Sequence, residues 1–281
     1  MKASLEYVRA RMLRHTAGAP PEASIDALAV EEPLEIQVDT RPISVTMRTP
    51  GHDEELAAGF LLTEGLIKRR QDVLAIKSHP RNKSQNVLNV FLSPAVTVDF
   101  TQLTRHVFAS SSCGLCGKAT IDAVHQHFPP VGGKLRVAAG TILSLPARMR
   151  HQQETFKHTG GLHAAAVFDA KGNLIVLRED VGRHNAVDKV LGYGLLNDGL
   201  PFGQHILLVS GRASFEIMQK ALAARVAIVA AVSAPTNLAV EFATVSRQTL
   251  IGFLRDQTMN IYSRPERILW PKSRKTVAKS R

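Results

Sequence analysis

The stretch HILLVSGRASFEIMQKALAARVAIVAAVSAPTN, residues 205–237, decides the fold class because it shows one arrangement twice. HILLVS (205–210) is a short apolar run that leads at Gly211 into a helical pattern, and VAIVAAV (226–232) leads in the same way into a helix near Pro235. Apolar runs that alternate with helices are typical of a largely parallel sheet covered on both faces. The sequence therefore predicts an α/β fold for this part of the chain.

Residues on both sides extend this pattern. LHAAAVFD (162–169) and LIVLRED (174–180) predict two strands joined as a hairpin, followed by a helix from about Arg183 to Leu196. LIGFL (250–254) predicts a further strand. Upstream, Ser144 and Pro146 predict the start of a helix that Gly160-Gly161 ends.

The N-terminal half has a different pattern, with more strands. Strands are expected at 34–39, 43–48, 73–78 and 86–92, with one helix from Asp53 to about Ile67. Residues 1–30 are basic and show no sustained periodicity. We therefore divide the chain into a flexible basic arm (1–30), a smaller β-rich N-terminal subdomain (31–108), a mobile loop (109–118), a C-terminal α/β subdomain (119–270) and a basic tail (271–281).

Composition excludes several classes of protein. The 281 residues are 44% apolar and 21% charged, which excludes a disordered, collagen-like or coiled-coil chain. The longest uncharged stretch of the C-terminal half, residues 226–240, is shorter than the ~20 apolar residues of a membrane-spanning helix. The first fourteen residues lack the apolar core of a secretion signal. We expect a soluble cytoplasmic protein that does not bind membranes.

The net charge of +11 is concentrated at the two ends of the chain. Residues 1–14 carry a net charge of +3 and residues 271–281 carry +5, which leaves +3 on the rest. A surface that reads nucleic acid needs Lys and Arg clustered on one folded face. We therefore predict no specific nucleic-acid partner.

Cys113 and Cys116 are the two cysteines of the chain and form its one Cys-x-x-Cys pair. The surrounding segment FASSSCGLCGKA (108–119) consists mostly of small residues, which is typical of a mobile surface loop. The pair is compatible with a redox site, with a carrier that holds sulfur as a persulfide, or with two surface thiols without a role. A zinc site with His125 and His127 would have an uncommon ligand spacing, and we assign no metal.

Two further groups of residues indicate a site for an anionic ligand. Arg183, His184 and Asn185 crowd three hydrogen-bond donors into the first turn of a helix that follows a strand. Gly211, Arg212 and Ser214 follow the strand at 205–210, where backbone amides at a helix start can bind phosphate. A capped helix with salt bridges and an ordinary strand-to-helix turn are the structural alternatives. Arg212 favours a phosphate-bearing ligand.

Five motifs occur in the order of a known family. They are SSCGLCGK (111–118), TGGLHAAAVFD (159–169), REDVGRHNAVDKVLG (178–192), LLVSGRASFEIMQKA (207–221) and FLRDQTMNIYSRPERI (253–268). Together they resemble the FdhD family, the formate dehydrogenase accessory sulfurtransferases, from about residue 33 to 270. The resemblance implies a fold similar to the cytidine-deaminase α/β sandwich. The zinc signature of the deaminases is not present, so deamination is not implied.

The resemblance also implies a reaction and its residues. A family member takes persulfide sulfur from a cysteine desulfurase and passes it to the bis(molybdopterin guanine dinucleotide) molybdenum cofactor of formate dehydrogenase. Cys113 corresponds to the persulfide cysteine and Cys116 to its partner. The family's cofactor-binding stretch corresponds to Phe253, Leu254, Arg255, Asp256, Gln257 and Thr258, where the acid Asp256 departs from the more basic family pattern.

Two other functions stay open at this point. The chain could be a non-catalytic chaperone for the cofactor, whose cysteines only dock the desulfurase, or a thiol oxidoreductase. Whether it forms a homodimer and which formate dehydrogenase it serves also stay open.

Overall fold

A computed structural model describes residues 6–78, 86–98 and 128–271 of the chain. The described part is a mixed α/β structure with four sheets. Within these ranges, we find no helix with both the length and the apolar character needed to cross a lipid bilayer.

The N-terminal residues form a β-hairpin, where the sequence predicted an arm without regular structure. Strand β1 (Tyr7–Arg14) pairs antiparallel with β2 (Glu22–Ala29). The base of the hairpin packs on the body, because the Tyr7 ring stacks on His158 with ring centroids 5.1 Å apart. Cross-strand pairing and this distant contact order the segment, and neither is visible as local periodicity.

A four-stranded sheet follows, in the order β4-β3-β6-β5. The predicted strands and helix are confirmed, with the bounds β3 (Glu32–Val38), β4 (Arg41–Arg48), α1 (Asp53–Thr63), β5 (Val73–Ser78) and β6 (Val87–Leu92). Helix α1 ends before Ile67, because Gly65 takes a φ of 76° and the amide of Leu66 turns back to the Leu61 carbonyl at 2.9 Å. Apolar residues at alternate positions of β3 and β6 are buried against α1.

The helices before residue 160 differ from the prediction. After the short strand β7 (Val137–Ala138), helix α2 (Ala139–Gln152) runs through Pro146, and α3 (Glu154–Thr159) follows. The buried residues of α2 recur at helical spacing, and this packing outweighs the lost hydrogen bond of the proline. Gly160 ends α3 at a φ of 64°, as the sequence predicted.

The C-terminal part is built on a six-stranded sheet in the order β13-β12-β11-β10-β8-β9. Its elements are β8 (His163–Asp169), β9 (Leu174–Asp180), α4 (Arg183–Leu196), β10 (His205–Val209), α5 (Phe215–Ala223), β11 (Ile228–Ala231), α6 (Asn237–Val245), β12 (Thr249–Arg255), β13 (Thr258–Ser263) and β14 (Ile268–Leu269). Strand β14 pairs with β7 outside this sheet.

The prediction of a largely parallel sheet is wrong. Only β10 with β11 and β11 with β12 are parallel in this sheet, and the pairs β8–β9, β8–β10 and β12–β13 are antiparallel. Short connections at 170–173 and 256–257 force their strands to run in opposite directions. Both faces of the six-stranded sheet are covered, as predicted. The apolar core on one face packs against α2, and the core on the other face packs against α1, α4 and α5.

Helices α1 and α4 join the two halves of the chain through a very close crossing. A Cβ atom on Gly192 of α4 would lie 1.8 Å from the Glu55 carbonyl oxygen of α1, and one on Gly59 would lie 1.8 Å from the Asp188 carbonyl oxygen. Only glycine allows the two backbones to approach this closely. The crossing fixes the position of α4, whose first turn carries part of the predicted site.

Candidate functional site

The predicted binding residues meet at one edge of the six-stranded sheet. Strands β9, β10, β11 and β12 all end at this edge, and β8, which runs in the opposite direction, begins there at His163. The segments 182–185, 210–214 and 232–236 follow the ends of β9, β10 and β11, and the segment 253–258 spans the end of β12, its turn and the start of β13. Four segments that are far apart in sequence therefore share one surface, which we call the carboxyl edge. Three of them hold the predicted binding residues.

The first turn of α4 lies against the turn after β10. A Cβ atom on Gly211 would lie 3.5 Å from His163 Nδ1 and 3.7 Å from Arg183 Cδ. His184 Nε2 lies 2.9 Å from Glu216 Oε2, which ties the start of α4 to the start of α5. His163 was not among the predicted binding residues, although it follows Gly160-Gly161 at the start of a strand and could have been found from that position.

The turns after β10 and β11 continue the pairing of the sheet. Ala213 N donates to Ala234 O at 3.2 Å, and Thr236 N donates to Ala213 O at 3.0 Å. Because these residues are extended, the helices begin at Phe215 and Asn237, later than the predicted starts at Gly211 and Pro235. The amides that the sequence predicts to bind an anion therefore belong to the first turn of α5, after Ser214, and Arg212 is exposed beside them.

Two donors at the carboxyl edge lack partners. Arg183 Nε and Ser214 Oγ are buried and have no hydrogen-bond acceptor within the described ranges. Buried polar atoms in folded proteins are nearly always hydrogen-bonded, so such exceptions require an explanation. A ligand that accepts hydrogen bonds at this edge would satisfy both atoms.

The Asn185 side chain, unlike Arg183 Nε, has hydrogen-bond partners within the described residues. Its Nδ2 donates to Met47 O at 2.8 Å and to Asp180 Oδ1 at 3.0 Å, and its Oδ1 accepts from Thr46 Oγ1 at 3.2 Å. These bonds join α4 to β4. The described contacts therefore give Asn185 a structural role in positioning the first turn of α4.

A buried ion pair supports the same turn. Lys189 Nζ lies 2.7 Å from Asp180 Oδ2 and donates to Thr49 O at 2.8 Å, and both charged side chains are almost fully buried. Asp180 Oδ1 also accepts from Gly182 N at 2.8 Å. The charged residues of the 178–189 cluster thus separate into buried supports, such as this pair, and groups that face the edge.

The strand β12 and its turn form the last part of the edge. Phe253 N donates to Ser233 O at 3.0 Å, so the predicted cofactor stretch begins next to the turn after β11. Arg255, Asp256, Gln257 and Thr258 are exposed, whereas Leu254 is fully buried in the core and packs there. Asp256 and Gln257 form a two-residue turn with φ of 49° and 66°, which presents their side chains to solvent.

Cys113 and Cys116 lie outside the described residues, so their predicted roles stay predictions. Within the described part of the chain, no group of three or more His, Cys, Asp or Glu side chains is arranged to hold a metal ion.

His163 provides a test of the electrostatics of this edge. Burial lowers the pKa of His163 below its ordinary 6.5, and the nearby Arg183 guanidinium lowers it further, against a smaller upward effect of the Asp180 carboxylate. We expect its imidazole to be neutral at pH 7 and to titrate below pH 6.5 in an NMR titration. Replacing Arg183 by glutamine should move the pKa of His163 upward, because a nearby cation is removed.

A matched control is Arg148→Gln, since the Arg148 guanidinium donates to Gly172 O at the opposite end of the β8–β9 hairpin. This control should leave the His163 titration unchanged. An unchanged titration in Arg183→Gln would contradict the proximity of the two side chains.

Comparisons with known proteins extend over most of the chain. The FdhD/NarQ family model matches residues 29–269. The sulfur carrier protein FdhD of Mycobacterium tuberculosis is 48% identical over 268 residues, which cover 92% of this chain and 97% of that protein. The protein of the same name from Sulfurisphaera tokodaii is 42% identical, over 87% of this chain and 92% of that protein. The crystal structure of a formate dehydrogenase accessory protein from Desulfotalea psychrophila superposes with a TM-score of 0.77 at 25% identity, and the match covers 94% and 99% of the two chains.

Proposed function

Because the chain belongs to the FdhD/NarQ family, we propose that it is a sulfur carrier that acts as an accessory protein of a formate dehydrogenase. In finer terms, we propose a sulfurtransferase: Cys113 receives persulfide sulfur from a cysteine desulfurase and delivers it to the bis(molybdopterin guanine dinucleotide) molybdenum cofactor. The observation that carries this proposal is the near full-length similarity to sulfur carriers in a chain with a single Cys-x-x-Cys pair.

The chemistry of the carboxyl edge supports a phosphate-bearing cargo. Arg183 Nε and Ser214 Oγ offer two buried donors without partners in the described ranges, and Arg212 adds an exposed guanidinium. Guanidinium groups and amides at a helix start are strong donors to phosphate oxygens. The cofactor is the substrate here, and its diphosphate would lie against the turn at 211–214.

The turn after β12 has groups suited to the guanine base. Phe253 offers a ring that is partly accessible, Asp256 offers a carboxylate acceptor, and Arg255 offers a donor. A guanine edge combines donors for a carboxylate with an oxygen that accepts a hydrogen bond. Adenine lacks this combination of donors and acceptor, so it would gain fewer hydrogen bonds from Arg255 and Asp256 than guanine.

We expect GDP to bind more tightly than ADP at this edge. Isothermal titration calorimetry of the full chain with both nucleotides measures the difference, and Arg212→Ala identifies the portion of binding that belongs to the edge. If the binding that Arg212→Ala removes is equally tight for GDP and ADP, the site at the carboxyl edge does not select the base. If Arg212→Ala leaves all nucleotide binding unchanged, the site does not lie at the turn after β10.

Sulfur loading tests the carrier function itself. The chain is incubated with a cysteine desulfurase and ³⁵S-labelled cysteine, separated from the desulfurase, and assayed for covalent label that dithiothreitol releases. Labelled chain is the expected result. Binding of the desulfurase without label would instead indicate a cofactor chaperone. A Cys113–Cys116 disulfide that cycles with a thiol substrate would indicate an oxidoreductase.

Several finer predictions remain part of this proposal. They are the similarity to the cytidine-deaminase sandwich, the cytoplasmic location and the cysteine desulfurase as sulfur donor. A formate dehydrogenase is the partner that the accessory role implies.

A further inference from the structure

A cleft lies at the end of the six-stranded sheet opposite the carboxyl edge, near the starts of β10 and β11. It is formed where α4 and α5 end and where the chain enters β10 and β11, and it has a volume of about 380 Å³. Its polar lining residues are Lys68, Arg69, Arg70, Gln71, Asp198 and Arg225. Its apolar lining comes from Leu195, Leu200, Pro201, Ala223 and Ala224. We call this feature the basic cleft.

The charge of the basic cleft is strongly positive. Four of the lining residues are cations and one, Asp198, is an acid. Arg69 is paired with Asp72, since its Nε lies 3.2 Å from Asp72 Oδ1. Lys68, Arg70 and Arg225 have no ion pair among the described residues, so most of the positive charge is not neutralised.

Two of these cations are held in place by neutral groups. Arg70 Nη1 donates to Val73 O at 2.7 Å, and Arg225 donates to the carbonyls of Pro129 and Pro130. Carbonyl oxygens fix the position of a guanidinium without cancelling its charge. The cleft thus holds preorganised cations, which lose little side-chain entropy when they bind an anion.

The backbone at Arg225 is fixed by the turn that ends α5. Arg225 follows α5 at a φ of 62°, the left-handed position that glycine normally occupies after a helix. Val226 N donates to Ala221 O at 2.9 Å and closes this turn. This turn holds the Arg225 backbone at the wall of the cleft. Nine other described non-glycine residues also have a positive φ, so the conformation positions Arg225 and does not by itself mark a site.

From these observations we propose that the basic cleft binds the diphosphate group of a small soluble molecule. Its volume lies in the ~300–1,000 Å³ range of small-molecule sites, so it has room for more than a single inorganic anion. Planar guanidinium groups match phosphate oxygens with pairs of parallel hydrogen bonds. The apolar residues would contact the remainder of the ligand. This site is separate from the carboxyl edge and does not depend on the sulfur-carrier function.

Pyrophosphate is the probe for this site, with orthophosphate for comparison. We expect pyrophosphate to slow hydrogen exchange of the amides in 68–71 and 223–226 of the full chain. We also expect it to bind at least about tenfold more tightly than orthophosphate, because it can engage two charged groups at once. Binding is measured by calorimetry at fixed ionic strength, in an Arg212→Ala background that weakens the carboxyl edge.

The variants Lys68→Ala and Arg225→Gly should each lower pyrophosphate affinity several-fold and together abolish the exchange protection. Arg225→Gly replaces a residue at positive φ by glycine, so the fold should be retained, and a thermal melt checks this. Arg247→Gly is the matched control, because Arg247 also has a positive φ of 59° after a helix and does not line the cleft. It should leave pyrophosphate binding unchanged.

Three results would overturn the proposal. One is the lack of protection at 68–71 and 223–226 at millimolar pyrophosphate. Another is equal affinity for pyrophosphate and orthophosphate, which would show only a general attraction of anions. The third is unchanged pyrophosphate binding in a folded Lys68→Ala, Arg225→Gly double variant.

Discussion

Replacing Cys113 by alanine is expected to abolish activation of the client formate dehydrogenase while the protein stays folded. If the chain carries sulfur as a persulfide, loss of the carrying thiol removes the only covalent intermediate of the transfer. The surrounding Ser110–Ser112, Gly114 and Gly117 are small residues, so the sequence predicts little loss of packing from this change. The effect should therefore appear in activity and be nearly absent from stability.

Mass spectrometry of the loaded wild-type chain should find one additional sulfur on the peptide that contains Cys113. Cys116→Ala is the matched variant, with the same chemical change three residues away. We expect Cys116→Ala to retain the label and to deliver it less well. Label on Cys116 alone would reverse the two roles, and an unlabelled chain would rule out the persulfide carrier.

The largest expected effect on stability comes from Gly192→Ala. The added methyl group would lie 1.8 Å from the Glu55 carbonyl oxygen, 2.7 Å from the Glu55 carbonyl carbon and 2.7 Å from Gly59 N. All three atoms belong to the backbone of α1, so no side chain can rotate to relieve the overlap. Helices α1 and α4 must move apart, and we expect the free energy of unfolding to fall by roughly 3 kcal/mol or more.

Chemical denaturation monitored by circular dichroism measures this change. Gly140→Ala is the control, because Gly140 lies exposed near the start of α2 and a Cβ atom there has no neighbour within 4 Å. We expect Gly140→Ala to leave stability unchanged or to increase it by up to about 1 kcal/mol. A Gly192→Ala variant as stable as the wild type would show that the two helices do not cross at these glycines.

The local elements of the C-terminal half could largely be predicted from the sequence. The helix Arg183–Leu196 has the predicted bounds, and the apolar runs at 205–210 and 226–232 contain β10 and β11. These elements depend on side-chain periodicity and on glycine near their ends, which are local properties. The helix at Pro146 was predicted to start too late, at Ser144 to Pro146, because the buried apolar side of α2 outweighs the proline and the helix begins at Ala139.

In the candidate site, too, the sequence predicted which residues take part but not the contacts that they make. The sequence predicted Arg183 and Ser214 as binding residues but could not show that Arg183 Nε and Ser214 Oγ are buried without partners in the described part. It also grouped His184 and Asn185 with them. The structure pairs His184 with Glu216 and Asn185 with Asp180 and the Met47 carbonyl, because α5 and β4 lie beside the first turn of α4.

The sequence alone determined the family and most of the strands and helices of the sheet region, since each depends on neighbours along the chain. It also predicted the residue types of the proposed anion site. The order and direction of the strands depend on contacts between distant residues, and only the tertiary structure decided them. The same holds for the hairpin at residues 7–29, which is ordered by cross-strand pairing and by the stacking of Tyr7 on His158. The carboxyl edge exists because β8 lies between β9 and β10, which places His163 beside the segments that follow those strands.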